Sequence, residues 1–231
     1  MRNFTSLLFA GGLGFFLLVL AADLPVGAAP MVAGEGILGQ GPEAVGAANL
    51  VTAVVLAYRG IDTLGELSIL FAAAAGVGLI LSGMRRRADQ RPDPEGGFIL
   101  LAAADLLFPL LVIVGLYIVL HGHLTPGGGF QGGVILAAAF FLPLLGRPGD
   151  SLNHAVVNWV EGLAGGAFVL IGLWALAVKG DFLAPMLGKG ALGSLFSAGT
   201  LPLLYIAVGL KVGAEIAGLM STLQETEAAE P

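Results

Sequence analysis

Long apolar runs alternate along this chain with short polar or glycine-rich joints. The runs are as long as a membrane crossing and show no soluble-helix alternation of faces. An α-helix needs about 20 predominantly apolar residues to cross a bilayer. On that measure the pattern predicts seven spans, at roughly 4–22, 44–60, 63–83, 98–120, 131–146, 155–178 and 198–222. A Gly/Pro/Ala-rich loop is expected at 23–43. "MRRRADQRPDPEGG" (84–97) is the one strongly polar internal stretch and reads as a boundary between two modules. The 179–197 connection, "KGDFLAPMLGKGALGSLFS", is expected to carry a short interfacial helix. The fold class is all-α, a polytopic transmembrane helical bundle of about seven spans.

Composition sharpens this picture. Of 231 residues, 57% are hydrophobic and 11% charged, against about a quarter charged in a soluble domain. No large extramembrane domain fits in the remaining length. There is no cysteine, which excludes disulfides, thiolate catalysis and cysteine-held clusters. No basic, aromatic-rich patch points to nucleic acid. The start, "MRNFTSLLFAGGLGFFLLVLAADLPVGAAP", has the layout of a signal peptide but is expected to be a retained membrane helix. Seven spans place Arg2, Arg59, Lys179 and Lys189 on one side and Arg85, Arg86, Arg87, Arg91 and Arg147 on the other. The excess favours the second side as cytoplasmic, unless Arg59 is buried in the bundle and drops out of the comparison.

Ionisable residues within apolar spans are costly and tend to pair or to line polar paths. Three clusters stand out. In "YRGIDTLGE", Arg59, Asp62 and Glu66 share a face if the helix continues through Gly60 and Gly65. Asp62 is the expected partner of Arg59, and Glu66 the deeper carboxylate. In "GLKVGAEIAG", Lys211 and Glu215 are spaced i, i+4 near mid-span. In "HAVVNWVEG", His154, Asn158 and Glu161 share a face, and Asp105 is expected to join the same polar interior. Each cluster reads either as part of an ion path or as a structural pair holding helices in register. The pairs Gly162/Gly166 and Gly209/Gly213 are GxxxG spacings, which let helices approach closely within the chain or against neighbours.

Two further histidines, His121 and His123, stand in "HGHLTPGGGFQGG" (121–133). The run Gly127–Gly132 matches GxGxxG formally, but that pattern signals dinucleotide binding only within a strand–turn–helix unit, which is absent here. Three histidines without cysteine make a poor zinc site; a haem held by His121 and His154 is a further alternative. Pro126 and the glycines instead suit a tight inter-helix loop, because irregular backbone at membrane depth survives only where protein or water surrounds it.

"GHLTPGGGFQGGVILAAAF" closely resembles the signature of the B subunit (MnhB/MrpB domain) of Mrp-type multisubunit cation/proton antiporters. That domain also occurs in energy-converting membrane-bound hydrogenases, and the resemblance covers about residues 96–220. "NLVTAVVLAYRGIDTLGELSILFAAAAGVGLIL" (49–81) resembles a second module, the E subunit of those hydrogenases and the C-terminal region of the antiporter's A-type component. Arg59, Gly60, Asp62, Thr63, Leu64, Gly65 and Glu66 match its motif. The resemblance implies an E-type module at 1–84, a polar linker at 85–97, a B-type domain at 98–222 and an acidic tail at 223–231. One departure is that antiporter B subunits tend to carry an Asp in the segment matched here by "LPLLYIAVGLKVG", which offers Tyr205, Ile206 and Lys211 instead. This tilts the resemblance toward the hydrogenase-like branch.

Residues and resemblance together imply a non-catalytic integral membrane component of a multisubunit ion-translocating complex, in a prokaryotic plasma (inner) membrane. It is expected to carry no cofactor and no metal. Its expected partners are the lipid bilayer, other hydrophobic subunits including an antiporter-like one, and a soluble hydrogenase-like redox arm. The ion-path candidates are Arg59, Asp62, Glu66, Lys211, Glu215, His121, His123 and Glu161. The structural loop motif is Pro126, Gly127, Gly128, Gly129, Phe130, Gln131, Gly132 and Gly133. A purely structural scaffold is the alternative.

Overall fold

The computed structural model describes residues 2–23, 32–85, 96–147 and 150–227, and all regular structure among them is helical. The chain divides into two compact units after Gly36. In the first, α1 (Arg2–Asp23) is apolar on every side and exposes Phe9, Phe15 and Leu18. Its faces suit lipid or neighbouring helices and no core of its own.

Helix α2 (Val32–Val45) replaces part of the loop expected at 23–43; residues 24–31 lie outside the described residues. The second expected span, 44–60, is not one continuous helix. Gly46, at φ +80, turns the chain beneath the Lys189 carbonyl, where a Cβ would sit 3.0 Å from that oxygen. Asn49 then starts a new helix by accepting the Val51 N–H, as a helix-capping side chain does. This helix, α3 (Leu50–Thr52), passes directly into a π-helical stretch, Ala53–Tyr58, and the two arms around the break are bent by 93°. The alternation of small and apolar residues hid the break, because Gly46 and Asn49 carry it without a proline.

Five helices follow: α4 (Gly60–Arg85), α5 (Phe98–Leu120), α6 (Gly129–Gly146), α7 (His154–Lys179) and α8 (Leu201–Glu227). All five are long and apolar enough to cross a membrane. The bent pair and the apolar stretch of α1 bring the tally close to the seven expected. The connection between α7 and α8 carries no helix, contrary to expectation. It is a compact irregular strap, with positive φ at Gly180, Gly190, Gly193 and Gly199 and also at Leu183 and Ala198. Residues whose backbone turns left repeatedly cannot extend a right-handed helix. The expected acidic tail begins inside α8, while 86–95 and 228–231 lie outside the described residues.

Helix α8 is the axis of the second unit; α4, α5, α6 and α7 all pack on it. Its contact with α6 is made by glycine. A Cβ on Gly133 would lie 2.8 Å from the Gly209 carbonyl oxygen, and one on Gly129 would lie 2.8 Å from that of Tyr205. On the other flank of α6, a Cβ on Gly132 would lie 2.8 Å from the Gly115 carbonyl of α5. Close backbone approach of this kind is the main source of helix association in lipid, where burial supplies little drive. The glycine motif is therefore loop only as far as Gly128; from Gly129 onward it is the first turns of α6.

Candidate ion-path clefts

Two clefts with carboxylates in their lining flank α8. The first is built where the 49–66 segment meets the glycine motif. A π-turn shifts hydrogen bonding to i, i−5, as between the Arg59 N–H and the Val54 carbonyl (2.8 Å). The Val55 carbonyl is taken instead by the buried hydroxyl of Thr63 at 2.7 Å. Gly60 starts α4 hard against Leu183, where a Cβ would meet Cδ1 at 2.6 Å. Asp62 pairs with Arg59, Oδ2 to Nε at 2.6 Å, as expected from their spacing. Arg59 is not buried: its side chain is 69% exposed on the chain's own surface. It occupies the bend between the π-turn and α4, so the three charged residues do not share one continuous helix.

Glu66 stands apart from that pair. It lines a cleft of about 380 Å³ together with Thr63, Gly127, Gly129, Gln131 and Tyr205. Its carboxylate has no partner among the described residues. The cleft floor is tied together by polar bonds. Asn49 Nδ2 donates to the carbonyls of Gly122 (2.8 Å) and Thr125 (2.9 Å), and its backbone N–H to that of His123 (3.0 Å). Thr52 donates to the Gly122 carbonyl at 2.6 Å and accepts from the Tyr205 hydroxyl at 2.6 Å. Gly127 and Gly128, at φ +147 and +143, bring the loop back under these donors. A side chain on Gly128 would meet the Tyr205 ring at 2.7 Å. Pro126 is exposed beside them and Phe130 packs on the core.

The second cleft, about 180 Å³, lies between α4, α7 and α8 and is lined by His154, Asn158, Glu161 and Glu215 with Phe71 opposite. The α7 residues therefore share one face, as their spacing predicts. Lys211 Nζ lies 2.6 Å from Glu215 Oε2 and 3.8 Å from Glu161 Oε1, and stands over the Phe71 ring at 5.5 Å. Both members of the Lys211–Glu215 pair are buried. A buried pair repays its desolvation only with good geometry, and removing one partner costs about 3–5 kcal/mol. At the rim, His154 Nε2 is 2.9 Å from Glu225 Oε1, which also accepts from Ser221 at 3.3 Å.

The remaining candidates separate. Asp105 does not join the α7–α8 interior; it takes both carboxylate contacts from Arg147 at 2.9 Å, where α6 ends. His121 stacks on Tyr117, centroids 4.3 Å apart. His123 is fully buried, its Nε2 3.1 Å from the Leu195 carbonyl oxygen. Burial pushes its imidazole below the usual pKa; backbone hydrogen bonds to Ser194 and Leu195 oppose this, and His121 adds to it. His121 and His154 lie at opposite ends of α6, whose 18 residues rise about 27 Å, so they do not approach a common haem. Among the described residues, no three of His, Cys, Asp and Glu gather as a metal site.

Glu225 stands at the rim of the second cleft without having stood out in the sequence, and the bond between Thr52 and Tyr205 was not foreseen. A signal for Glu225 existed: it follows Lys211 by 14 residues, close to four whole helical turns. The Thr52–Tyr205 bond joins residues 153 apart and has no local signature.

Comparison with known proteins agrees with this architecture. The chain is 32% identical over 196 residues to an uncharacterised protein of Methanocaldococcus jannaschii, covering 74% of each. It is 26% identical over 165 residues to a probable K+/H+ antiporter A/B subunit of Rhizobium meliloti, where the match takes in 62% of this chain and 16% of that much longer protein. In structure it matches a chain of the membrane-bound sulfane sulfur reductase, an archaeal respiratory membrane complex, with TM-score 0.80 and 38% identity over 96% of this chain and 97% of that one. It also shares the fold of part of the Mrp complex from Dietzia, with TM-score 0.75 and 24% identity, over 96% of this chain and 26% of that one. Five apolar helices of crossing length and these relatives make the chain an integral membrane subunit of a multisubunit ion-translocating complex in the prokaryotic plasma membrane. Residues 99–218 match the domain related to the MnhB subunit of Na+/H+ antiporters, and the chain belongs to that family.

Proposed function

We propose that this protein contributes an ion path as well as helix packing, without catalysing a reaction or holding a redox centre itself. The observation that carries this reading is the first cleft. There Glu66, unpartnered among the described residues, lines one cleft with Gln131 and the glycine backbone next to the apolar helices α4 and α6. A purely structural carboxylate would be paired, as Asp62 is with Arg59. The second cleft supports the same reading: Glu215, Glu161 and His154 line it, with Lys211 paired to Glu215 and Glu225 beside His154. We take the E-type and B-type segments as fused functional modules, because the 49–66 segment supplies the clamp that holds the 121–128 loop. End-to-end likeness to a chain of a respiratory complex favours a redox-driven pump with a soluble arm, and neighbours that include an antiporter-like subunit.

The test is ion flux in vesicles, normalised to intact complex recovered. Glu66→Gln should leave the complex assembled and lower sodium or proton flux several-fold. Asp62→Asn should chiefly lower recovery, since it leaves Arg59 without its partner. Full flux in the assembled Glu66→Gln complex would return this cleft to a scaffold role.

A further inference from the structure

We propose that the groove between α6 and α7 holds one acyl chain of a membrane lipid whose zwitterionic, amine-bearing headgroup sits in the polar cleft at the end of α6. Helices α6 and α7 each pack along α8 but make almost no contact with each other. Between them lies a groove of about 360 Å³. Its floor is α8, where Gly209, Gly213 and Ala217 present nothing larger than a methyl group. Its walls are Phe140 of α6 and Val156 and Val160 of α7, and the lining is almost entirely apolar.

Toward the end of α6 this groove runs into a second space of about 470 Å³, with which it shares Phe140 and Leu152. Phe140 is held at the junction edge-on to Phe108, ring centroids 5.5 Å apart. The second space is polar, lined by Asp105, Arg147, Asp150 and Ser151. The Asp105 and Arg147 side chains, paired at 2.9 Å, are 60% and 37% exposed. Hydrocarbon tails do not solvate such a pair. The Asp150 carboxylate and the Ser151 hydroxyl are exposed and have no partner among the described residues.

An apolar groove continuous with a charged cleft matches an amphipathic molecule, tail beside head. A neighbouring helix does not fit the groove. It is about 10 Å across and rises 5.4 Å per turn, so a single turn takes about 400 Å³, more than the groove holds. A flexible acyl chain is thinner and follows it. Charge selects the headgroup. Among the described residues of the polar cleft, two carboxylates face one guanidinium and leave one negative charge. That excess opposes a purely anionic headgroup and offers Asp150 to an ammonium. The phosphate of the same headgroup takes the Ser151 hydroxyl and the positive side of Arg147.

The experiment is photo-crosslinking of the purified whole complex in vesicles of equimolar phosphatidylethanolamine and phosphatidylglycerol. One lipid or the other carries a diazirine on its acyl chain, and labelled peptides are identified by mass spectrometry. The phosphatidylethanolamine probe should label the α6–α7 groove about threefold more than the phosphatidylglycerol probe, the effect of one exposed ion pair. Asp150→Asn should bring the two probes to equal labelling. Val156→Trp fills the groove from an exposed position and should remove the groove label of both probes with the complex intact. Equal labelling by both probes in wild type, or a preference that survives Asp150→Asn, overturns the inference, as does groove label that persists in Val156→Trp. No groove label in wild type, or loss of a neighbouring subunit in Val156→Trp, makes the groove a protein interface and also overturns it. Asp150 is a surface residue, so its variant decides the headgroup even if Val156→Trp assembles poorly.

Discussion

Gly129, Gly132 and Gly133 of α6 and Gly162 and Gly166 of α7 look alike in sequence and do opposite things in the structure. On α6, Gly129, Gly132 and Gly133 are each pressed against a carbonyl oxygen of another helix. On α7, Gly162 and Gly166 meet nothing within 4 Å, and the same holds for Gly65, Gly76 and Gly78 on α4. Where α6 meets α8, the two backbones touch. Toward α4 and α7 the helices leave a cleft lined by Glu215, Glu161 and His154, beside Lys211. A GxxxG spacing shows that a helix can approach another closely; only the facing residues decide whether it does.

The largest effect should come from breaking the α6–α8 contact. In Gly133→Ala the new Cβ would lie 2.8 Å from the Gly209 carbonyl and 2.9 Å from Val212 Cβ. Backbone on one side and a branched side chain on the other leave little to give way. Overpacking of this kind costs about 1–3 kcal/mol, and more where backbone must move. The expected result is a clear fall in complex recovery and thermal stability. Unchanged stability would mean that α6 and α8 are not in backbone contact.

An intermediate effect is expected at the clamp between the two motif segments. Asn49→Ala removes the cap of α3 and the donor to the Gly122 and Thr125 carbonyls together. Loss of a cap costs about 1 kcal/mol; the Thr125 carbonyl loses its donor at about 1 kcal/mol, while the Gly122 carbonyl keeps Thr52. A loss of about 2 kcal/mol should appear as a lower unfolding temperature of the complex. The first cleft should loosen with it, so flux should fall further than recovery does. Equal losses in both would make the clamp a packing device with no bearing on the cleft.

How much of this was readable in the sequence depends on where each interaction lies along the chain. Apolar length alone located α4 to α8 within a few residues, because lipid demands nearly full helices. Local spacing gave the Arg59–Asp62 and Lys211–Glu215 pairs and the common face of His154, Asn158 and Glu161. The same logic failed for Asp105, whose partner Arg147 is 42 residues away. It failed for span two, where Gly46 and Asn49 break the helix without interrupting the hydrophobic run. It also missed that Glu66 and Gln131 line one cleft, since only tertiary packing gathers polar positions of separate apolar helices. Residue type told which side chains carry chemistry; their grouping into two clefts depended on the rotation of each helix about its axis.

The smallest effect, and the one that sharpens the comparison most, is at Gly162. Alanine there adds a methyl group that meets no atom of this chain. Where the backbone is already helical, Gly→Ala stabilises by about 0.4–1 kcal/mol through reduced freedom of the unfolded chain. The expected outcome is a complex recovered in full, with an unfolding temperature equal to or slightly above that of the parent, opposite in sign to Gly133→Ala. Recovery of this chain with loss of a neighbouring subunit would show that α7 makes, with another chain, the same close contact that α6 makes with α8. The contrast between the two helices would then be one of partner, inside the chain or outside it, and the open face of α7 would be a packing face like that of α6.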